Sequence, residues 1–496
     1  MFILLLTAVA ACILRQLFAS AKWKEEHGIP TIRCWPSIFP KFLDRLSYSS
    51  HAVRLVNQGY RQHKNRPFRL LKMDMDLIVI PLKYANELRA VTSDKLDPLT
   101  ASFDDNAGKV TQILVDSELH THAIQRRLNP RLPIILPVMM EELNHAFGQQ
   151  NIDSSWIPVN PYEMVLQLST RAAARISVSE PICRDEDFLN TSASYSRNIF
   201  DAIAMSRSLG HVITPYLGRW IPSIQAAQQQ FQRIQKMLCS EVEKRRENPE
   251  DSTRDDFLQW CMELARTEEE AHAASVAHRT LGILSMAVVH TTAMASTHIL
   301  FDLISDEELK EKLRQEQNQI LKQGWKRITQ QAMLDMKKLD SLMRESQRIN
   351  PVGEFTFRRT VRQPITLSDG FQLHPGQQVA IAARCIILDP DLIPEADVFK
   401  PLRWTEPDDM VPTTFSSSNS STSNLHSLHF GLGRYACPGR FMATYLIKAI
   451  VSRFLIEYDF KLQGDCASGR PPNLIHVDKL LPNRTATILL RRRNRA

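Results

Sequence analysis

The eight cysteines of this 496-residue chain, Cys12, Cys34, Cys183, Cys239, Cys261, Cys385, Cys437 and Cys466, include no C-x-x-C pair. Scattered singly, they offer neither a zinc framework nor a disulfide scaffold, and they fit a reducing compartment. No glycine-rich fingerprint for a flavin or a nicotinamide is present, so the chain carries no recognisable electron source of its own. No internal repeat is found, which excludes repeat arrays. Charge of one sign is not concentrated: the net charge is +7, and the basic residues are spread out apart from the C-terminal R-R-R-N-R. That tail reads as a solvated end, and no nucleic-acid partner is expected.

Long hydrophobic runs are also scarce. Phe2 to Leu14 is apolar, but Arg15 ends the run short of the roughly twenty residues that a full span needs. A secretory signal normally carries a positive charge ahead of its apolar core, and none precedes this one. Arg15, Lys22 and Lys24 follow it, which by the positive-inside rule places the body in the cytosol. The expected organisation is a membrane anchor at 1–20, a linker or hinge at 21–50 and one large body at 51–496.

The chain has apolar material for a sizeable core, at 43% hydrophobic residues. Length alone suggests about three domains. Residues 25–50 read as irregular, with Pro30, Pro36 and Pro40 as breakers. L-I-V-I-P at 77–81 reads as a short buried strand. From about 118 to 350 the pattern is mostly helical, and after Pro351 short β-like runs follow, T-F-R-R-T-V and Q-Q-V-A-I-A. Residues 413–427, rich in Ser, Thr and Asn, read as a solvated loop.

Thr280 to Ile304 is long and nearly apolar. As a membrane span it would bury His290, Thr291, Thr292, Thr297 and His298 in hydrocarbon at a substantial cost. A helix apolar on all sides also suits the centre of a large protein, where its threonines can bond back to their own carbonyls. At Leu339 to Arg348, L-D-S-L-M-R-E-S-Q-R, Glu345 and Arg348 lie one turn apart on one helix face that ends at Asn350-Pro351. Alone, such a pair is a surface ion pair of little worth.

Phe430 to Arg440 reads F-G-L-G-R-Y-A-C-P-G-R. Gly431 and Gly433 allow the loop positive φ and a close approach to a flat ring. Pro438 suits a first helical position, and the apolar run F-M-A-T-Y-L-I-K-A-I-V that follows Arg440 reads as a buried helix. The N–H groups at the start of that helix would favour the Cys437 sulfur as an anion. The alternative is a buried, inert cysteine in a glycine turn.

This loop resembles the cytochrome P450 signature F-x-x-G-x-x-x-C-x-G, with Phe430, Gly433, Cys437 and Gly439 in register. The resemblance spans nearly the whole body and is most specific from about 280 to 460. It implies a mainly α fold with a small β region (α+β), preceded by an N-terminal membrane anchor, and makes 51–496 one haem-binding catalytic domain. It implies haem b with Cys437 as the axial iron ligand. Ala287 to Thr292 corresponds to the family's A/G-G-x-D/E-T-T pattern: Thr291 matches the threonine that positions water and oxygen, while Val288 replaces the glycine and His290 the acid. The A-x-x-H-T-T form is similar to fungal members, and it offers His290 as the proton relay, given an ordinary imidazole pKa near 6.5. Glu345, Arg348 and Arg403 match the family's structural network, which clamps the chain behind the cysteine loop.

Members of the family bind the haem propionates through a cation two residues before the cysteine, where this chain has Tyr435. The expected substitutes are Arg358, then His120, Arg126 or Arg127, with Arg434 further down the order. Glu354, in the segment expected to line the substrate pocket, is read as pointing to solvent, or else as selecting a substrate hydroxyl or amine. By resemblance, the activity expected is monooxygenation of a lipophilic small molecule, a terpenoid or alkaloid intermediate of fungal secondary metabolism. Electrons would come from NADPH-cytochrome P450 reductase, with cytochrome b5 as an additional partner, at the endoplasmic reticulum membrane facing the cytosol. The alternatives are a haem-thiolate isomerase or dehydratase working without O2, which the missing acid permits, and a non-catalytic haem sensor or carrier.

Overall fold

Local chemistry sets where the helices begin. Asp97 accepts from the N–H groups of Leu99 and Thr100, and Pro98 takes the first turn of a helix at Pro98–Asp105. Asn160 caps Pro161–Val178 through the N–H of Glu163, and Asp185 caps Glu186–Leu217 through that of Phe188. Each cap satisfies a donor that the first turn leaves orphaned, and proline there gives up nothing. In chain order the main helices are α1 (Lys41–Gln62), α2 (Pro98–Asp105), α3 (Leu132–Gly148), α4 (Pro161–Val178), α5 (Glu186–Leu217), α6 (Pro222–Glu247), α7 (Ala273–Leu281), α8 (His290–Leu303), α9 (Glu307–Ile320), α10 (Lys337–Ile349) and α11 (Arg440–Glu457). The computed structural model describes residues 28–112, 117–248, 254–322, 324–325, 328–405, 425–464 and 469–493. The expected anchor at 1–20 and most of the Ser-rich stretch 413–427 lie outside these residues.

Between α7 and α8 the chain stays helical but widens to a π-helix over Gly282–Val289. The result is one rod, Ala273–Leu303, apolar enough to cross a membrane by length and composition alone, whose apolar window is 67% buried inside the protein. It is the core helix that its buried polar residues called for. α4, α5, α10 and α11 pack around it. Beside this helical mass lies a six-stranded sheet ordered β1-β2-β3-β6-β5-β4, made of β1 (Thr31–Ile32), β2 (Phe68–Leu71), β3 (Asp76–Val79), β6 (Gln378–Ile381), β5 (Thr356–Val361) and β4 (Leu96–Asp97). The runs read as strands at 77–81, T-F-R-R-T-V and Q-Q-V-A-I-A thus meet in one sheet.

Three local expectations are corrected. The segment 25–50 is not irregular throughout: α1 begins at Lys41, directly after Pro40, whose fixed φ suits a helix entrance. The C-terminal arginines are not all a loose end, because Arg491 and Arg492 belong to a strand, Ile488–Arg492, that pairs with Tyr458–Leu462. Arg491 is held there by Asp459 at 3.1 Å. The helix after the cysteine starts at Arg440, two residues later than Pro438 suggested.

Candidate active site

The cysteine loop is shaped by its glycines. Gly431 (φ 86°) and Gly433 (φ 70°) occupy the left-handed region, and a Cβ on Gly433 would lie 3.0 Å from Cβ of Arg89. The Cys437 N–H donates to the carbonyl of Phe430 at 2.7 Å, closing the loop on itself. Asn129 fixes the next turn by donating to the Pro438 carbonyl at 3.1 Å. Cys437 is thereby left exposed, not to bulk water but to a deep cavity. Burial raises the pKa of its thiol, against the opposing pull of the Gly439 and Arg440 N–H groups and the Arg440 charge. The expected helix-end stabilisation is therefore present but outweighed in the free thiol. A coordinated metal ion would reverse that balance, since a ligating thiol is deprotonated outright.

The cavity is about 540 Å³ and mainly apolar. Cys437, Phe430 and Ala443 form one wall, and Ala287 and Thr291 from the central rod another. The Thr291 hydroxyl donates to the Ala287 carbonyl at 2.6 Å. This is the back-bonding open to any helical threonine, but here its oxygen also borders the space above the thiol.

His290 does not reach that space. It is 2% exposed and is absent from the cavity wall. One helical residue turns the side chain by about 100°, and here Thr291 and Thr292 fall on the cavity side of the rod while His290 falls on the side packed against α4 and α5. The imidazole stacks on Phe200 of α5 (centroids 3.7 Å, planes 15° apart), and Nδ1 lies 3.1 Å from the hydroxyl of Tyr162 on α4. Burial and the nearby Arg484 charge lower its pKa to about 3, so it stays neutral at physiological pH. The expected proton relay through His290 is thus corrected on both geometry and charge.

Glu345, itself fully buried, sits at the centre of a network of donors. It accepts from Arg348 at 2.7 and 2.9 Å, from Arg403 Nε at 3.2 Å, from Trp404 Nε1 at 3.2 Å and from the Lys400 N–H at 2.8 Å. Arg348 also donates to the carbonyls of Ile387 and Ala396, so the network ties α10 to the segment running toward the cysteine loop. Desolvation opposes the charge on Glu345, yet these donors hold its pKa below the ordinary value.

The expected propionate cations are distributed differently. Arg358 forms ion pairs with Asp105 at 2.8 Å and Asp478 at 3.0 Å and is absent from the cavity wall. Arg127 pairs with Glu263 at 2.9 Å, Arg126 is exposed, and Arg434 is 73% exposed near Glu118. His120 does line the cavity. The residue missed is Arg359, buried and placed 5.3 Å from the ring centre of Tyr435. The cause is a register shift in β5 between Thr356 and Arg359, with Phe357 at φ 53°. A bulge adds one residue and reverses the alternation beyond it, which brings Arg359 instead of Arg358 to the cysteine loop. Glu354 points neither to solvent nor into the cavity. It is 2% exposed and lies 3.6 Å from Arg384, with its pKa raised to about 7 by burial.

These features fit a haem. An accessible thiol stands beneath a cavity of suitable size, the loop under it is made of left-handed glycines, and a buried arginine without an ion pair among the described residues stands beside Tyr435. The comparisons agree. The cytochrome P450 family model matches residues 108–485. Cytochrome P450 monooxygenase idtP of Claviceps paspali is 66% identical over 501 residues, covering 100% of both chains. Cytochrome P450 monooxygenase ltmP of Epichloe festucae var. lolii is 65% identical over 95% of this chain and 94% of its own. A retinoic-acid-bound cyanobacterial structure, CYP120A1, shares the fold at a TM-score of 0.69 and 18% identity, over 94% of this chain and 99% of that one. With Cys437 open beneath Thr291 and relatives this near along its full length, the chain belongs to the cytochrome P450 family and is a haem-thiolate monooxygenase.

Proposed function

We propose that this monooxygenase oxidises a lipophilic terpenoid or alkaloid intermediate of fungal secondary metabolism. The observation that carries the reading is the Cys437 thiol at the base of an apolar cavity bordered by Thr291. Haem held by Cys437 supplies oxygen activation and C–H oxidation when bound and reduced. The chain's own residues do the rest. Apolar walls select a water-poor substrate and exclude solvent from the thiol. The Thr291 hydroxyl proton is taken up by the Ala287 carbonyl, which leaves its oxygen free to accept from a water and so position it in the cavity. Arg359 supplies the cation that Tyr435 cannot, and Glu345 with Arg348 and Arg403 fixes the backbone behind the loop.

We also assign electron delivery to NADPH-cytochrome P450 reductase, with cytochrome b5 as an additional donor, and the setting to the cytosolic face of the endoplasmic reticulum. These assignments rest on the short apolar run at Phe2 to Leu14, the basic residues after it and the absence of a flavin or nicotinamide fingerprint. The test is expression in membranes followed by the reduced spectrum with carbon monoxide. A strongly red-shifted Soret band is expected, and Cys437→Ser should abolish it. A histidine-type band in folded protein overturns the reading. Product formation that needs no NADPH would select the isomerase or dehydratase alternative.

A further inference from the structure

The imidazole of His290 belongs to a closed circuit of contacts that ends on a residue of the cavity wall. One face of His290 stacks on Phe200, and Phe200 lines the cavity. Nδ1 of His290 meets the Tyr162 hydroxyl at 3.1 Å, and the Tyr162 ring stands edge-on to it at 80°. The Arg484 charge lies close to Tyr162 in turn. Arg484 Nη2 donates to Asp201 at 3.2 Å, and Asp201 follows Phe200 directly in α5. The backbone of Arg484 is itself held, through its carbonyl, by Asn160 at 2.8 Å, at the cap of α4. Two adjacent residues of α5 are therefore gripped by one assembly, Phe200 by the imidazole face and Asp201 by the guanidinium.

From this geometry we infer that His290 is a positioning residue for substrate: it fixes the ring of Phe200 against the cavity through the stack, with Tyr162, Arg484 and Asp201 holding the two partners in place. The inference rests on the monooxygenase reading, because it gives the cavity wall a role in orienting what lies above Cys437. Phe200 is only partly buried, as a wall residue must be if it is to touch a ligand. His290 is enclosed, as a support must be. The groups facing His290 are Tyr162 from α4, Phe200 from α5 and Arg484 from the C-terminal segment, and none of them is an acid that could charge it. An aromatic ring suffices for this task, and a titratable one is not required. Offset or parallel ring contacts favour one orientation over free rotation, so the ring that leans on Phe200 sets which face of a substrate it can meet.

The test uses the full-length, haem-loaded protein and four variants, His290→Ala, His290→Phe, Phe200→Ala and the double variant carrying both alanines. Imidazole and 1-phenylimidazole, which differ by a phenyl ring, are titrated and read by the Soret shift. His290→Ala should weaken 1-phenylimidazole relative to imidazole by about three- to ten-fold, the size of one aromatic pair contact. His290→Phe should restore the wild-type ratio, and Phe200→Ala should lose it whether or not His290 is present. Amide exchange over residues 195–205 should rise in His290→Ala and return to normal in His290→Phe. This second readout needs no haem, so a failure of the monooxygenase reading and a failure of the stack are told apart. The proposal is overturned if His290→Phe is as impaired as His290→Ala, or if the effects of His290→Ala and Phe200→Ala simply add.

Discussion

Arg359 lies over the ring of Tyr435, with its guanidinium carbon 5.3 Å from the ring centre, two residues ahead of Cys437. Burial lowers its pKa to about 10, and its guanidinium donates to the Arg358 carbonyl at 2.7 Å. A buried cation with no ion pair among the described residues is costly, so this placement calls for an anion that arrives with the cofactor. Arg359→Leu should fold but bind haem at least about ten-fold more weakly, the loss of one good charge-assisted contact. The ratio of haem to protein after gel filtration measures it. Arg358→Leu should keep its haem and lose stability instead, because its partners are Asp105 and Asp478. Equal haem loss in both variants would remove the assignment.

Glu345, itself buried, accepts hydrogen bonds from two arginines, a tryptophan and a backbone N–H. Truncation to alanine strands Arg348, 1% exposed, without its counter-charge. Breaking such a buried network by removing one partner costs about 3–5 kcal/mol. Glu345→Ala is therefore expected to yield haem-free protein with a lowered melting temperature, seen as a missing Soret band. Normal haem content in this variant would refute a clamping role.

The sequence was legible where chemistry is local and opaque where it depends on register or on a neighbour. The cysteine loop could be read because two glycines, a cysteine and an apolar helix must be consecutive to work at all. The pairing of Glu345 with Arg348 could be read because one helical turn fixes their spacing. Arg359 could not, since nothing in T-F-R-R-T-V announces a bulge at Phe357, and a regular strand would favour its neighbour. His290 was misjudged for another reason. Its substitution for an acid suggests a proton path, but the partner that defines its role, Phe200, lies 90 residues away. Glu354 shows the same blindness: its burial is set by Arg384 and by the chain around Asp478, which no local pattern reveals.

Glu354 makes stability depend on pH in an unusual direction. Its pKa is raised to about 7, with burial as the main cause, so the folded protein holds this proton more tightly than the unfolded chain, where the value is near 4.3. The contribution is fully present below the unfolded value and is lost as pH rises through about 7. Glu354→Gln keeps the shape and removes the titration. It should gain roughly 1–3 kcal/mol over the parent at pH 8 and nothing at pH 4. Denaturant melts at the two pH values decide it, and a pH-independent difference would mean that Arg384 neutralises the carboxylate in the fold.

Asp478 titrates the other way, and its position explains why. It is 1% exposed and is surrounded by Arg207 at 3.0 Å, Arg358 at 3.0 Å and Lys72 at 3.6 Å, with its pKa held well below the carboxylate range by those cations despite burial. Arg207 lies in α5 three residues before Gly210, whose φ of 77° breaks that helix, and a Cβ on Gly210 would lie 2.7 Å from the Met73 carbonyl. The network therefore pins a broken helix to the β2–β3 turn and to β5 at once. Asp478→Asn leaves three cations facing only Asp74 and Asp105, and should cost about 3–5 kcal/mol at neutral pH. A depressed folded pKa gives stability that is present above the unfolded value, near 3.9, and lost as pH falls toward the folded one. Burial lowers the pKa of Lys72 in the same cluster to about 8, so the gap between parent and Asp478→Asn should stay constant from about pH 5 to 7 and narrow in stronger acid. It should also resist added salt, since counter-ions do not screen a pair that water cannot reach. A gap that closes at high salt would show instead that the cluster opens to solvent, and with it the joint between α5 and the sheet.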